Sequence, residues 1–171
     1  YYPYVTNTYA YNGENSLPLF KKYTSTSRNY VALPEFNKPI DSLQISFRLY
    51  SLQTSATYWK TQEIAVGVMT DPLDIKTFEQ VATVVPTKAK TWERISIKLD
   101  EYVGKGKYIA IRETDKFTRS PGNSTKYAEG VNTDSVYIDN ITVNVAAPCE
   151  TPYDVFASDV TPNAATINWS S

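Results

Sequence analysis

Apolar and polar residues alternate along most of this chain, which is typical of β-strands with one buried face. In residues 43–50 the apolar side chains of Leu43, Ile45, Phe47 and Leu49 share one face, while the polar ones, with Arg48 and Tyr50 among them, share the other. No stretch of ten or more residues has helical periodicity, so we expect at most one helical turn, near residues 74–78. Six or seven strands separated by turn signals predict an all-β, antiparallel sandwich. The further candidate strands are 29–33, 63–70, 80–85, 94–100, 107–114 and 134–145.

The last of these strands contains a shift in the alternation. Val136 and Ile138 point one way, whereas Ile141 and the apolar residues after it have the opposite parity. One extra residue at Asp139-Asn140 would reconcile the two halves, as a β-bulge does. The bulge re-aims the Asp139 carboxylate, which then either accepts hydrogen bonds from nearby backbone N–H groups or binds a cation such as calcium.

Two turns are predicted from residue type. Gly104 and Gly106 are expected to make a tight connection between the strands on either side, because glycine reaches positive φ at little cost. Asp71 and Asp74 stand three apart around a proline. Two such acids could ligate a cation, but aspartate before proline more often bonds its own backbone, and we favour the turn.

Composition removes several classes of function. The net charge is −1 with no basic stripe, so no nucleic-acid partner is expected, and no apolar run is long enough for membrane insertion. The chain has no histidine, which excludes histidine-based triads, histidine zinc ligands and histidine general bases. Its single cysteine, Cys149, excludes an internal disulfide framework. We therefore expect no enzyme.

Candidate binding residues come from aromatic and arginine side chains. Tyr58 and Trp59 follow one another between two strong strands, either as a stacking platform for a sugar ring or as a cap on the edge of the core. Arg48, Tyr50 and Arg112 are expected to line the polar face of a sheet, where arginine offers planar hydrogen bonding, with a solvated sheet face as the alternative. We expect Trp92 to lie in the core.

The chain divides near residue 146. Ala146-Ala147-Pro148 reads as a linker, and beyond it the alternating residues Ala165, Ile167 and Trp169 predict a strand of a second sandwich. We therefore expect one domain at 1–146. Residues 147–171 would then be a linker and the first strands of another domain.

Several segments resemble the jelly-roll domains of the cleaved-adhesin and MAM-like group. These domains occur in surface proteins of Bacteroidetes-type bacteria, including the haemagglutinin-adhesin regions of gingipains, and the resemblance covers roughly residues 13–145. The tail after Cys149 is similar to the opening of a fibronectin type III domain. The segments that carry the adhesin resemblance are 66–78 (VGVMTDPLDIKTF), Trp92, 102–112 (YVGKGKYIAIR) and 137–141 (YIDNI).

The resemblance implies a galactose-binding-like jelly roll in a secreted or cell-surface protein. The implied role is a non-catalytic adhesion module that recognises a glycan or a host surface or matrix protein, alongside neighbouring domains of the same chain. It also implies structural calcium near Asp139. The alternatives are a structural spacer in a secreted protease or glycosidase and, last, a glycosidase, for which no pair of carboxylates shares one strand face.

Overall fold

The computed structural model describes residues 4–19, 29–52, 60–119, 136–149 and 152–170. Ten strands and two short 3₁₀ turns make up the regular structure of these residues. The 3₁₀ turns are Ile40–Ser42 and Ile75–Thr77. The strands are β1 Leu17–Leu19, β2 Tyr30–Ala32, β3 Leu43–Ser51, β4 Lys60–Met69, β5 Glu79–Val84, β6 Trp92–Lys98, β7 Tyr108–Arg119, β8 Val136–Val145, β9 Tyr153–Ser158 and β10 Thr166–Ser170.

The first eight strands form two four-stranded antiparallel sheets. The first sheet has the order β1-β8-β3-β6 and the second β2-β7-β4-β5, while β9 and β10 pair with each other as a hairpin. Each strand is followed by one in the other sheet, except that β4 and β5 are neighbours in the second sheet, and β7 and β8 return to inner positions. This is the eight-stranded arrangement of a jelly roll. The predicted all-β antiparallel jelly roll is confirmed.

The alternation in β3 shows how the sequence builds this sandwich. Leu43, Ile45, Phe47 and Leu49 are all buried, and the residues between them are only partly so. The buried set packs between the sheets against apolar side chains of the second sheet, which gives one continuous core. The second sheet contributes Ile64, Val66, Val68, Val84, Ile109 and Ile111.

The shift in β8 is a bulge, as predicted. Ser46 of β3 pairs with Thr142 of β8, but Arg48 pairs with Asp139, so β8 has one more residue than β3 between these two pairs. Asn140 takes up the excess with a φ of 48°, a conformation that asparagine tolerates better than most residues. The predicted helical turn is also present, at Ile75–Thr77.

The prediction for Gly104 and Gly106 is wrong in its reason. The described glycine with positive φ is Gly13, and the connection crosses from β6 in one sheet to β7 in the other rather than closing a hairpin. The constraint here is the space around each Cα, and it is firmest at Gly106, where a Cβ would also lie 2.8 Å from the Met69 carbonyl oxygen. A Cβ on Gly104 would lie 2.2 Å from the Tyr102 hydroxyl, and one on Gly106 would lie 2.6 Å from a methyl of Val68.

Aspartates 71 and 74 serve the turn they flank. Asp71 accepts a hydrogen bond from the backbone N–H of Leu73, and Asp74 accepts one from Lys76, both at 2.9 Å. These are the local bonds favoured for such residues on sequence grounds. No helix in the described part of the chain is long and apolar enough to cross a membrane.

Candidate functional site

The outer face of the first sheet carries a cluster of aromatic rings. Tyr50 lies at its centre, directly opposite Trp92 on β6 and Tyr137 on β8. Its ring centroid is 5.2 Å from that of Trp92 and 6.2 Å from that of Tyr137. Cross-strand neighbours on one face meet in this way because directly opposed side chains point to the same side of a sheet. The expectation that Trp92 lies in the core is therefore wrong.

The segment before β1 extends this cluster. Thr6 and Ser16 exchange backbone hydrogen bonds of 2.9 and 2.8 Å, so the segment turns back on itself. Tyr9 stacks on Tyr50 with a centroid distance of 4.8 Å and an interplanar angle of 24°. Tyr11 meets Trp92 edge-on at 5.8 Å. Such pairs add about 0.5–1.5 kcal/mol each beyond the apolar area they bury.

Burial changes the acidity of the central tyrosine. Burial of its hydroxyl raises the pKa of Tyr50 above the usual value, and the nearby Tyr9 phenol raises it further. The phenol therefore stays neutral and can donate a hydrogen bond throughout the physiological pH range.

Asp139 attaches the N-terminal segment to the bulge. One carboxylate oxygen accepts hydrogen bonds from the backbone N–H groups of Tyr11 at 2.8 Å and Asn12 at 3.2 Å. The other oxygen accepts from Asn140 at 2.7 Å. The Asp139 carboxylate was considered as an acceptor of backbone hydrogen bonds or as a cation ligand, and in this structure it accepts backbone hydrogen bonds.

Calcium at Asp139 finds little support in the surrounding side chains. Both oxygens already face amide donors, and the described residues contain no group of three or more His, Cys, Asp or Glu side chains that could hold a metal. Calcium prefers six to eight oxygen ligands, several of them carboxylates. These residues do not form such a site, and calcium binding stays an untested prediction.

Two arginines complete the surface. Arg48 and Arg94 face each other across β3 and β6. The Cζ atom of Arg48 lies 4.5 Å from the ring centroid of Tyr11. We call the whole surface the aromatic–arginine face, and it consists of Tyr9, Tyr11, Arg48, Tyr50, Trp92, Arg94 and Tyr137.

The structure brings together only some of the predicted site residues. Arg48 and Tyr50 belong to the aromatic–arginine face, as neighbours on β3. Arg112 lies on the opposite sheet, where it pairs with Tyr30 and places its guanidinium 4.6 Å from the Phe78 ring centroid. The three residues therefore do not line one sheet. Tyr58 and Trp59 lie outside the described residues, and their role stays a prediction.

Sequence reasoning missed most of this face. Trp92 and Arg94 share parity on β6, opposite to Ile95 and Ile97, so the alternation itself places them on the outer side. That signal was available in the sequence. The contribution of Tyr9 and Tyr11 was not, because residues 1–11 show no alternation and reach β8 through a contact between residues 128 positions apart.

A separate cleft lies between the chain at residues 35–41 and the connection at 102–107. Its volume is about 490 Å³. Along its wall Lys107 donates to Glu35 at 2.9 Å, and this hydrogen bond holds the pKa of the Glu35 carboxyl below its usual value. None of the residues predicted to bind ligand lines this cleft.

Solved structures with this fold include two cleaved adhesin domains. The K2 cleaved adhesin domain of Lys-gingipain matches with a TM-score of 0.54 and 12% identity, over 82% of this chain and 76% of that domain. The K1 domain of Lys-gingipain from Porphyromonas gingivalis W83 matches with a TM-score of 0.51 and 13% identity, over 81% and 78%. The chain has the fold of the gingipain cleaved adhesin domains.

This similarity concerns the fold alone, because the identities are low. A Family 16 carbohydrate binding module also matches, with a TM-score of 0.47, 13% identity and coverage of 84% of this chain and 86% of that one. That score is too low for any conclusion to rest on it. No protein-family model matches the sequence, and no curated protein matches it.

Proposed function

We propose that the chain is a non-catalytic adhesion module of an exported protein, and that it recognises a glycan or a host protein through the aromatic–arginine face. The observation that carries the proposal is the joining of Tyr11, Trp92, Arg48 and Arg94 on one side of a rigid sheet. Aromatic rings stack on the apolar faces of sugars and of protein side chains, and guanidinium groups bind hydroxyls and carboxylates in fixed geometry.

The rigidity of the support favours recognition. Arg48 and Tyr50 stand on a nine-residue strand whose alternate side chains fill the core. The Arg48 side chain is only 13% exposed, so its guanidinium is held in place by its neighbours. A surface whose side chains are fixed before binding loses less conformational entropy when a ligand arrives. The shared fold with domains called adhesins agrees with this role.

A binding screen tests the proposal. The 171-residue chain is screened against a glycan array and a panel of matrix proteins, and each hit is remeasured with Tyr11→Ala and Arg94→Ala. We expect each substitution to weaken binding by roughly tenfold, about 1.4 kcal/mol, the size of a moderate contact at an interface. Lys98→Ala is the matched control, because it removes a positive charge from the same strand, four residues from Arg94 and outside the named set of residues. Ligands that bind all three variants equally would place the site elsewhere.

The aromatic platform of Tyr58 and Trp59 is a separate part of this proposal. Their place between β3 and β4 in the sequence, at the strand ends, is where binding residues often occur. Trp59→Ala in the same screen tests it. Loss of binding with Trp59→Ala and normal binding with Arg94→Ala would assign recognition to the connection rather than to the sheet.

A structural spacer is the second candidate, and one observation favours it. Residues of the C-terminal hairpin already contact both arginines: Asp154 pairs with Arg48, and the Tyr153 ring lies 4.1 Å from the Cζ of Arg94.

We propose further that 147–171 are a linker and the opening strands of a fibronectin type III-like domain. Val155, Ile167 and Trp169 of this hairpin are each more than half exposed, which supports a further partner for it. A pure spacer would show no hits in the screen.

A further inference from the structure

Two consecutive residues of the hairpin contact the two arginines. The Asp154 carboxylate forms an ion pair with Arg48, and the Tyr153 ring lies under Arg94, with a second, longer approach of 6.0 Å to Arg48. Cation–π contacts are worth about 0.5–1 kcal/mol at exposed sites and more where water is displaced. An aromatic ring and the carboxylate next to it thus match the two guanidinium groups.

The sheet places two positive charges side by side on this face. Arg48 and Arg94 are directly opposite each other, and like charges in that position are destabilising. The acid opposite Arg48 on β8 is Asp139, whose oxygens accept three backbone hydrogen bonds instead. A carboxylate brought from another segment therefore lowers the electrostatic energy of this face.

The backbone of the hairpin has a bulge at Asp154, the residue that supplies this carboxylate. Phe156 pairs with Asn168, but Tyr153 pairs with Ser170, so β9 has one residue more than β10 between these pairs. Asp154 takes a φ of 51° at this bulge. A non-glycine residue held there costs of order 1 kcal/mol and persists only where surrounding contacts favour it. The ion pair to Arg48 is such a contact.

We propose that the surface around Arg48 and Arg94 is a recognition site for a protein segment that presents a carboxylate beside an aromatic ring, and that Tyr153-Asp154 is its occupant within the same chain. A segment from another protein then displaces the hairpin in order to bind. This inference rests on the proposed function in that it takes the aromatic–arginine face as a binding surface, and it names a protein segment as the ligand.

The test uses the intact chain and a capped peptide with the sequence of residues 152–158 (PYDVFAS). The peptide is titrated into the wild-type chain and into a variant opened by Tyr153→Ala and Asp154→Ala, while NMR follows the arginine side-chain Nε–H signals. We expect the opened variant to bind with a dissociation constant of about 1 mM or tighter. The wild type should bind about tenfold more weakly, as expected when the hairpin is docked about 90% of the time.

Controls separate recognition from nonspecific attraction. A peptide with Tyr→Ala and Asp→Asn exchanges should lose at least about fivefold in affinity, close to 1 kcal/mol. Arg94→Ala in the opened variant should weaken binding, whereas Lys98→Ala should not. The inference would be overturned if the peptide bound the wild type and the opened variant with equal affinity. It would also be overturned if the arginine signals of the opened variant did not shift up to about 10 mM peptide. Glycan hits that depend on Tyr11 would still support the proposed function in that case.

Discussion

Replacement of Asp139 by alanine should loosen the N-terminal segment from the sandwich. The carboxylate accepts three backbone hydrogen bonds, of 2.8, 3.2 and 2.7 Å, and two of them come from Tyr11 and Asn12. Hydrogen bonds to a charged group contribute about 1.5–3 kcal/mol each when buried. These lie at an exposed site where water can replace the acceptor, so we take about 0.5–1 kcal/mol for each, near the value for neutral bonds.

The expected loss in the free energy of unfolding is then about 2 kcal/mol, or a fall in Tm of about 4–8 °C for a domain of this size. Urea denaturation followed by tyrosine and tryptophan fluorescence measures it, because Tyr9 and Tyr11 stack within the aromatic cluster. Asp139→Asn keeps one acceptor oxygen and should lie between wild type and alanine. The matched control is Asp100→Ala, an exposed acid for which the described residues show no side-chain bond. If Asp139→Ala and Asp100→Ala unfold within about 0.5 kcal/mol of each other, a span typical of neutral surface substitutions, the three bonds do not anchor the segment.

Three further outcomes are expected. Gly67→Ala should destabilise the chain by about 1–3 kcal/mol in urea, because its Cβ would lie 2.3 Å from the Glu79 carbonyl oxygen and strands would have to shift; a loss near zero would contradict this. Lys107→Met should raise the pKa of Glu35 towards its usual value, seen by NMR titration of the carboxyl carbon, whereas Lys105→Met should not. Since the folded-state pKa of Glu35 is lowered, the stabilisation by this pair is present above the unfolded pKa and declines as pH falls through the folded one. Calcium bound to the native state alone would raise the Tm, so an equal Tm with and without chelator would remove Asp139 as a ligand.

The competition between tail and ligand has a consequence for the two candidate functions. If Tyr153-Asp154 occupies the arginine pair, a module that binds a protein segment at this place requires the segment to displace the hairpin, whereas a spacer requires no displacement. The two arginines would then hold the external segment in one state and the hairpin in the other. The affinity difference between the wild-type and the opened chain measures this competition, and the binding screen separates a binding module from a pure spacer.

Much of the fold could be predicted from local patterns. The alternation in β3, the parity shift that became the bulge at Asp139-Asn140, and the turn bonds of Asp71 and Asp74 all depend on residues within a few positions of each other. The prediction that Trp92 lies in the core is wrong, because it follows from the apolar character of tryptophan alone. The parity that Trp92 shares with Arg94 places it on the outer face. Gly104 and Gly106 were recognised as necessary, but their neighbours Tyr102 and Val68 could be known only after folding.

By itself, the sequence determined which faces of the strands are buried, because side chains in an extended chain alternate with a period of two wherever they fall in the fold. It also determined, through the absence of histidine, which chemistry is excluded. Only the tertiary structure decided that Arg48, Tyr50, Trp92 and the N-terminal tyrosines share one surface while Arg112 lies on the other sheet. The reason is that strand pairing joins residues far apart in the chain, and its register depends on the packing of the whole core rather than on any local pattern.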